Sequence, residues 1–228
     1  MSRQGQLQAL RSLSTGRAGK LPIVGGRLCL DFVNTSSGRG TVHHKENLNG
    51  YSDLLAWVHH AEILGIDETL ALAAQARARP RMAQRAFAMA LQLREALHVI
   101  LSATVERRPV PAQAVDRLSA FLAQAARAQR FQPAPRVPVW RWSTVAPTGF
   151  ETPLWPIVRS AAELLAEGPL DRLKTCGGFG CGWIFLDQTR NRGRRWCEME
   201  VCGSRAKMRR YRLRRVGRDR GKTAKIAL

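Results

Sequence analysis

Four of the five cysteines lie close together near the C-terminal end of the chain, and their spacing is typical of metal chemistry. They form two pairs with four residues between partners: Cys176 with Cys181, and Cys197 with Cys202. Four thiolates close the coordination sphere of a structural Zn²⁺ and leave no position for water or substrate. Three glycines inside the first pair permit the sharp, positive-φ turn that a metal knuckle requires. The sequence therefore predicts one structural zinc ion.

Two other interpretations of the cluster stay open at this point. An iron–sulfur cluster also takes four thiolates, and four unconnected core cysteines would give the same composition. The repeated spacing and the glycines favour zinc over both. No secretory apolar segment is seen near the N-terminus, so we expect a cytoplasmic protein without disulfides. The remaining cysteine, Cys29, is expected to be a small buried side chain.

The distribution of charge points to an anionic partner. The chain carries 37 Lys and Arg against 17 Asp and Glu, a formal net charge of +20. Residues 171–228 hold +12 of this charge in 58 residues, and residues 1–170 hold only +8. Such a concentrated basic segment suits nucleic acid or an anionic membrane surface. The apolar runs are shorter than the roughly 18 residues that span a bilayer, so we expect no membrane-spanning segment. We expect nucleic acid as the partner and no membrane.

A basic helix following the last cysteine is the predicted contact with nucleic acid. On a helix, Lys207, Arg210 and Arg214 share one face, where they could reach guanine O6 and N7 in a major groove while flanking arginines hold phosphates. We expect double-stranded DNA ahead of RNA, although Tyr211 could stack on RNA bases. The candidate nucleic-acid-binding residues are Arg190, Arg192, Ser204, Arg205, Lys207, Arg210, Tyr211 and Arg214.

The elements around the cysteines predict a small zinc module over residues 171–216. A knuckle, a hairpin made of Trp183–Leu186 and Arg194–Trp196, and a basic helix follow one another, which is the order of a treble clef. Between the two strands, Asp187 is expected to anchor a turn. A structural zinc would supply the folding energy that so small a core lacks.

The rest of the chain predicts a mostly helical domain. Alternation of Leu28, Leu30 and Phe32 indicates a strand, and the proline-containing segment 136–143 indicates an edge strand. Apolar periodicity predicts helices over 52–64, 67–80, 81–106, 112–127 and 152–168. The fold class is therefore α+β, arranged as a disordered basic arm (1–20), a helical domain with a few strands (21–168), the zinc finger (171–216) and a basic flexible tail (217–228).

A polar cluster in the first domain allows two interpretations. Asp31, Asn34 and Thr35 end an apolar segment and could line a small-molecule pocket, which would make this domain a sensor. Alternatively, they only hydrogen-bond a turn. No nucleophile elbow, phosphate loop or zinc-protease pattern is present, so we do not expect an enzyme.

Residues 176–205 resemble the CGNR zinc-finger family, whose motif is matched by Thr189–Asn191, Arg194–Cys197 and Cys202–Arg205. Upstream, the string LCLDFVNT (28–35) resembles the opening of the ABATE domain, which precedes this finger in the family. The resemblance implies a bacterial transcription regulator. One departure is Ser204, which stands where the family signature has asparagine; serine can cap a helix but presents a different group to a base edge.

Two rival functions use the same zinc module. One is an RNA- or ribosome-associated protein, and the other is a protein-interaction module whose charge serves an acidic partner. A single finger buries too little surface for high DNA specificity by itself. We therefore expect a homodimer formed through the N-terminal domain.

Overall fold

The structure, a computed structural model, describes residues 2–13, 16–142 and 149–213. The helices before the cysteine segment are α1 (Arg3–Arg11), α2 (Leu28–Val33), α3 (Tyr51–His60), α4 (Ile66–Ala78), α5 (Pro80–Val105), α6 (Ala112–Arg127) and α7 (Trp155–Glu167). Short antiparallel pairs are formed by β1 (Ser36–Ser37) with β2 (Lys45–Glu46), β3 (Gln129–Gln132) with β4 (Val139–Trp142), and β5 (Leu173–Thr175) with β6 (Ile184–Leu186). A π-helical turn, Met199–Gly203, leads into α8 over 204–213. The α+β class is confirmed.

The helix α5 forms the centre of the helical core. It matches the helix predicted over 81–106, and the predicted apolar stripe is buried: Ala86, Ala90, Leu93, Leu97, Ile100 and Ala103. Proline at its first position costs no hydrogen bond, because that N–H has no partner within the helix. By length and composition alone α5 could cross a membrane, but its stripe packs against the helices of the core, as expected of a central helix in a folded domain.

Several helix bounds differ from the prediction by one to four residues; for example, α3 ends at His60 instead of 64, and residues 152–154 form a 3-10 turn before α7. The third helix begins at Tyr51 after Gly50 rather than at Ser52, and α4 begins at Ile66 after Gly65, not at Asp67. The Gly65 N–H donates to the Glu68 carboxylate at 3.0 Å. Both helices therefore start one residue earlier than predicted. A side-chain bond accompanies the change at Gly65, whereas no side chain caps α3 at Gly50.

The segment predicted as the first strand is the helix α2. The prediction was wrong because a short apolar run does not distinguish a buried strand from a buried helix. Five consecutive residues of α2, Cys29–Val33, are buried, since the helix lies between α5, α7 and β6 and is covered on all sides. The alternating apolar residues Leu28, Leu30 and Phe32 therefore belong to a helix that is buried on all sides, and not to a strand with one buried face.

The described residues of the N-terminal arm, which the sequence predicts to be disordered, form the helix α1 and a short turn. The Ser2 hydroxyl caps α1 by accepting from the Gly5 N–H, and the Gln6 side chain donates to the Asp67 carboxylate at 2.6 Å. A turn at Ala18–Lys20 packs on α3 with Ala18 fully buried. Composition could not predict this packing, because it depends on the acidic first turn of α4. The predicted tail, 217–228, lies outside the described residues.

The strand predicted over 136–143 is observed as β4, in a hairpin with β3. Register pairs Arg130 with Arg141 and Phe131 with Trp140. The partner strand has the sequence QRFQ and is exposed at every position, so it has no buried alternating face that a periodicity argument could detect.

The zinc module and the helical domain share one core. Leu173 and Leu186 of the β5–β6 hairpin belong to the same buried cluster as α2, α5 and α7. Across this contact, the Asn34 side-chain amide donates to the Ile184 carbonyl at 2.8 Å and accepts from the Ile184 N–H at 2.9 Å. The hairpin that carries the first cysteine pair is therefore fixed directly on the helical domain.

Candidate metal centre and basic surface

The first cysteine pair lies in the loop that joins β5 to β6. The Cys176 N–H donates to the Trp183 carbonyl at 2.7 Å, which closes the loop. The predicted strand over Arg194–Trp196 is not a strand in the structure. Its backbone contacts the loop instead, because the Arg195 carbonyl accepts from the Gly177 N–H at 2.9 Å. The hairpin of this module is thus β5–β6, formed on either side of the knuckle.

The second pair lies at the start of the C-terminal helical segment. Cys197 precedes the π-helical turn, and Cys202 lies inside it, two residues before α8 begins. The Cys197 N–H donates to the Cys176 sulfur at 3.2 Å. This bond joins the second pair to the first and supports a charged sulfur.

The four sulfurs have the spacing that one zinc ion requires. All four Sγ atoms lie within 4.8 Å of one another. A tetrahedron with Zn–S bonds of about 2.3 Å places its sulfurs about 3.8 Å apart. The Cys197–Cys202 distance is 3.6 Å and the Cys181–Cys197 distance is 3.8 Å. The residues fit a single structural Zn²⁺, whereas an iron–sulfur cluster would place several atoms between its ligands.

Glycines in the knuckle serve two different purposes. Gly180 has a φ of +66°, as predicted for the sharp turn. Gly178 is needed for space: a Cβ there would lie 2.9 Å from the Cys202 sulfur and 3.3 Å from the Cys176 sulfur. Backbone and metal ligands thus approach each other too closely for any side chain.

Electrostatics favour a thiolate at Cys176. The backbone N–H groups of Cys197 and Gly178 donate to the Cys176 sulfur at 3.2 and 3.4 Å, and these bonds lower the pKa of Cys176. The N–H donors that lower this pKa also stabilise sulfur once it binds a metal.

Asp187 anchors the turn after β6, as predicted. It is fully buried, and Lys174 Nζ lies 2.6 Å from one carboxylate oxygen. The Thr189 N–H and hydroxyl donate to the other oxygen at 2.9 and 2.6 Å. Burial opposes ionisation, but Lys174 and these hydrogen bonds hold the pKa of Asp187 below its usual range.

Arg194 ties the zinc module to the N-terminal segment. Its guanidinium donates to the backbone carbonyls of Val24, at 2.9 Å, and Cys197, and lies 4.3 Å from the centre of the Phe185 ring. The Arg194 guanidinium thus donates hydrogen bonds to backbone carbonyls of two segments that are far apart in the chain. This side chain is fully used in internal contacts.

The polar cluster of the helical domain makes internal hydrogen bonds. Asp31 accepts from the Val24 and Gly25 N–H groups at 2.8 and 2.7 Å. Thr35 donates to the Phe32 carbonyl and accepts from Arg94, and Asn34 holds Ile184 as described above. All three are buried, and none lines the cleft described below.

The candidate nucleic-acid residues are mostly exposed on α8. The exposed side chains are Arg190, Ser204, Arg205, Lys207, Arg210 and Tyr211. Arg192 is also exposed, but its guanidinium bonds the Asp171 carboxylate at 2.5 Å. The remaining candidate, Arg214, lies outside the described residues. Helical spacing therefore brings together the 204, 207, 210 and 211 positions, while the turn arginines lie on a separate segment.

A cleft of about 630 Å³ lies between α8, the knuckle and the helical domain. Sequence reasoning missed three of its basic residues: Arg17, Lys45 and Arg209. The Arg209 guanidinium stacks 3.8 Å from the centre of the Phe179 ring, and the His43 ring meets the same ring edge-on at 4.9 Å. No local pattern connects residues so far apart in the chain, so only the fold could reveal this cleft.

The comparisons with known families agree with this architecture. Residues 26–168 match the ABATE family, described as "Putative stress-induced transcription regulator", and residues 172–215 match the CGNR zinc finger. A comparison with curated proteins gives no match. The two family matches adjoin within the shared core, and the second contains all four cysteines. The chain belongs to the ABATE family and carries a CGNR zinc finger with one structural zinc site.

Proposed function

We propose that this protein is a bacterial cytoplasmic transcription regulator that binds double-stranded DNA through α8 and has no catalytic role. The observation that carries the proposal is the exposed basic face of α8. Within the described residues, the side chains of Lys207 and Arg210 make no ion pair or hydrogen bond. Unpaired cations on one helix face are complementary to the phosphates and guanine edges of a major groove.

The metal centre supports this proposal by fixing the helix. Cys202 and Gly203 are buried immediately before α8, so zinc binding holds the N-terminal end of the helix on the β5–β6 hairpin. The rest of α8 is solvent-exposed, except for the half-buried Ala206. A helix anchored at one end and free along its length can enter a groove without steric interference from its own domain.

The experiment compares the zinc-loaded double variant Lys207→Ala/Arg210→Ala with Arg85→Ala/Arg117→Ala. Both variants lose two positive charges, but Arg85 and Arg117 are exposed on α5 and α6. We expect the α8 variant to bind duplex DNA at least tenfold more weakly and to lower the slope of log K against log salt by about 2. The control should bind as the wild type does. Equal affinities for the two variants would contradict the proposal.

Competition with RNA separates the rival functions. The proposal expects an enriched duplex sequence that single-stranded or folded RNA does not displace. Displacement by RNA would instead support an RNA- or ribosome-associated protein. Absence of steep salt dependence for either nucleic acid would leave the protein-interaction module as the better interpretation.

A homodimer is part of the proposal because one finger covers few base pairs. The helical domain is the part that is free to pair while α8 contacts DNA. Sedimentation with and without the selected duplex tests this. If only monomers are found in both conditions, the proposed homodimer is refuted, whereas the proposed DNA contact of α8 is not.

A further inference from the structure

The cleft beside α8 brings together parts of both family domains. Its walls come from the N-terminal segment (17–22), the loop that contains β1 and β2 (37–47), the knuckle (177–181), the segment of the second cysteine pair (197–202) and α8, so the cleft borders the metal centre. Its volume, about 630 Å³, falls in the range typical of small-molecule sites. Any occupant would therefore contact the helical domain and the proposed DNA-binding helix together.

The charge of the cleft selects an anion. Five of its lining residues are basic: Arg17, Lys45, Arg205, Arg209 and Arg210. Among the described residues, the lining also includes one acidic residue, Glu198, and three of the zinc-ligating cysteines, Cys181, Cys197 and Cys202. A Zn²⁺ bound by four thiolates carries a formal charge of −2, so the basic side chains still outnumber the negative charges around the cleft. Among the described residues, Lys45, Arg205 and Arg210 have no ion-pair partner for their side chains. A concave surface with unpaired charges of one sign concentrates counter-ions of the opposite sign.

The same walls offer an apolar surface. The lining includes Leu21, Pro22, Phe179, Trp183, Val201 and Leu213. Phe179 is 70% exposed and Leu213 is 65% exposed. Simple phosphate or chloride would leave this surface in water. An aromatic or aliphatic body attached to the anionic group would cover it, at a gain of about 25 cal/mol for each Å² of apolar surface removed from water.

The loop that brings Lys45 to the cleft is held rigidly. The neighbouring Glu46 pairs with Arg94 of α5 through two bonds, of 2.7 and 2.5 Å. The Gly38 N–H donates to the Cys181 carbonyl at 2.7 Å, which fixes the loop on the knuckle. Preorganised cationic groups lose less conformational entropy when a ligand binds.

We propose that this cleft binds an organic anion with an apolar body, and that the ligand weakens DNA binding by occupying Arg205 and Arg210. The second part rests on the proposed function, because both arginines belong to the candidate DNA-binding set. Along α8, Arg210 lies between the face that contains Lys207 and the side that faces the cleft. One guanidinium cannot fully serve a ligand carboxylate and a DNA phosphate together.

The binding test uses 1-naphthoate as the probe and 1-naphthylmethanol as its uncharged analogue, with zinc-loaded full-length protein. Calorimetry should show saturable 1:1 binding of naphthoate and at least tenfold weaker binding of the alcohol. Arg17→Gln/Lys45→Gln, which lies outside the proposed DNA face, should weaken naphthoate binding about tenfold. The exposed Arg117→Gln should have no effect. Equal binding of acid and alcohol, or an unaffected Arg17/Lys45 variant, would overturn the site.

The coupling test measures duplex affinity with and without saturating naphthoate. The wild type should lose affinity about threefold to tenfold, and Arg17→Gln/Lys45→Gln should lose it only at higher probe concentrations. If naphthoate binds but DNA affinity does not change, the proposed competition between ligand and DNA is wrong, whereas the proposed ligand site stands. Failure to bind DNA in either condition would refute the proposed function, whereas the calorimetric result would still decide the cleft.

Discussion

At the scale of single residues, the knuckle glycines show how closely a sequence pattern and a steric requirement correspond. Three glycines predict a sharp turn, yet the decisive one, Gly178, is required by the space between two sulfurs. Its role became visible only when Cys202, 24 positions away in the chain, was placed beside it. A turn can be predicted from neighbouring residues, but the contact between Gly178 and the second cysteine pair cannot.

Gly178→Ala should lower zinc affinity about tenfold to a hundredfold, a loss typical of disturbed groups around metal ligands. The added Cβ would lie 2.9 Å from the Cys202 sulfur, so one ligand must move. Competition with a chromophoric chelator measures the change. Gly193→Ala is the matched control, because a Cβ there meets nothing within 4 Å. Similar affinities for both variants would refute this steric explanation.

Asp31 carries a second prediction at this scale. Burial raises the pKa of Asp31 to about 6, although the Gly25 and Val24 N–H groups and the charge of Arg194 oppose the shift. The folded state therefore holds the proton more tightly than the unfolded chain. This group's contribution to the free energy of unfolding is greatest below the ordinary value of 3.8, and it falls as the pH rises from about 4 to about 6.

Asp31→Asn should stabilise the zinc-loaded protein at pH 8 by about 1–3 kcal/mol. The amide oxygen can still accept both N–H bonds, and no charge is buried. Urea unfolding of variant and wild type at pH 8 and at pH 5 measures the difference, which should shrink at the lower pH. A stabilisation independent of pH, or a destabilisation at pH 8, would contradict the assignment.

At the scale of elements, the contact between the end of α2 and β6 decides how the two family domains are joined. Asn34 uses its whole amide on the Ile184 backbone. From sequence, this residue was a candidate either for a ligand pocket or for a local turn. The structure shows a contact over 150 positions, which no local argument could predict.

Asn34→Ala should cost about 2–4 kcal/mol of unfolding free energy, because it leaves the buried Ile184 N–H and carbonyl without partners. Hydrogen exchange should rise first at the amides of β5 and β6. The exposed Asn191→Ala serves as the control, with an expected effect within about 0.5 kcal/mol. Exchange in β5 and β6 that remains at the wild-type rate would show that the contact does not hold the hairpin.

At the scale of the whole molecule, the shared core argues against two independently folding units. If a linker separated two independent domains, the stability of the helical part would not depend on zinc binding. Instead, Leu173, Ile184 and Leu186 complete the core of α2, α5 and α7. Because zinc binds the knuckle that they carry, we expect metal binding to stabilise the helical domain as well.

Removal of zinc by a chelator should therefore lower the melting temperature of the helical signal in circular dichroism. We expect one cooperative transition with metal, and a lower or broader one without it. Readdition of Zn²⁺ should restore the original curve. An unchanged helical transition after verified zinc removal would show that the two parts unfold independently.

The sequence by itself determined the zinc ligands, the α+β class, the long helices and the basic face of α8. These features depend on residue spacing and apolar periodicity within short segments, and both can be seen in the amino-acid sequence itself. Tertiary structure decided that α2 is a helix, that β5 rather than residues 194–196 pairs with β6, and that Arg17, Lys45 and Arg209 line one cleft. Each of these features depends on burial or on contact between distant segments. The local sequence of an apolar run or of an isolated cation does not show which distant residues will contact it.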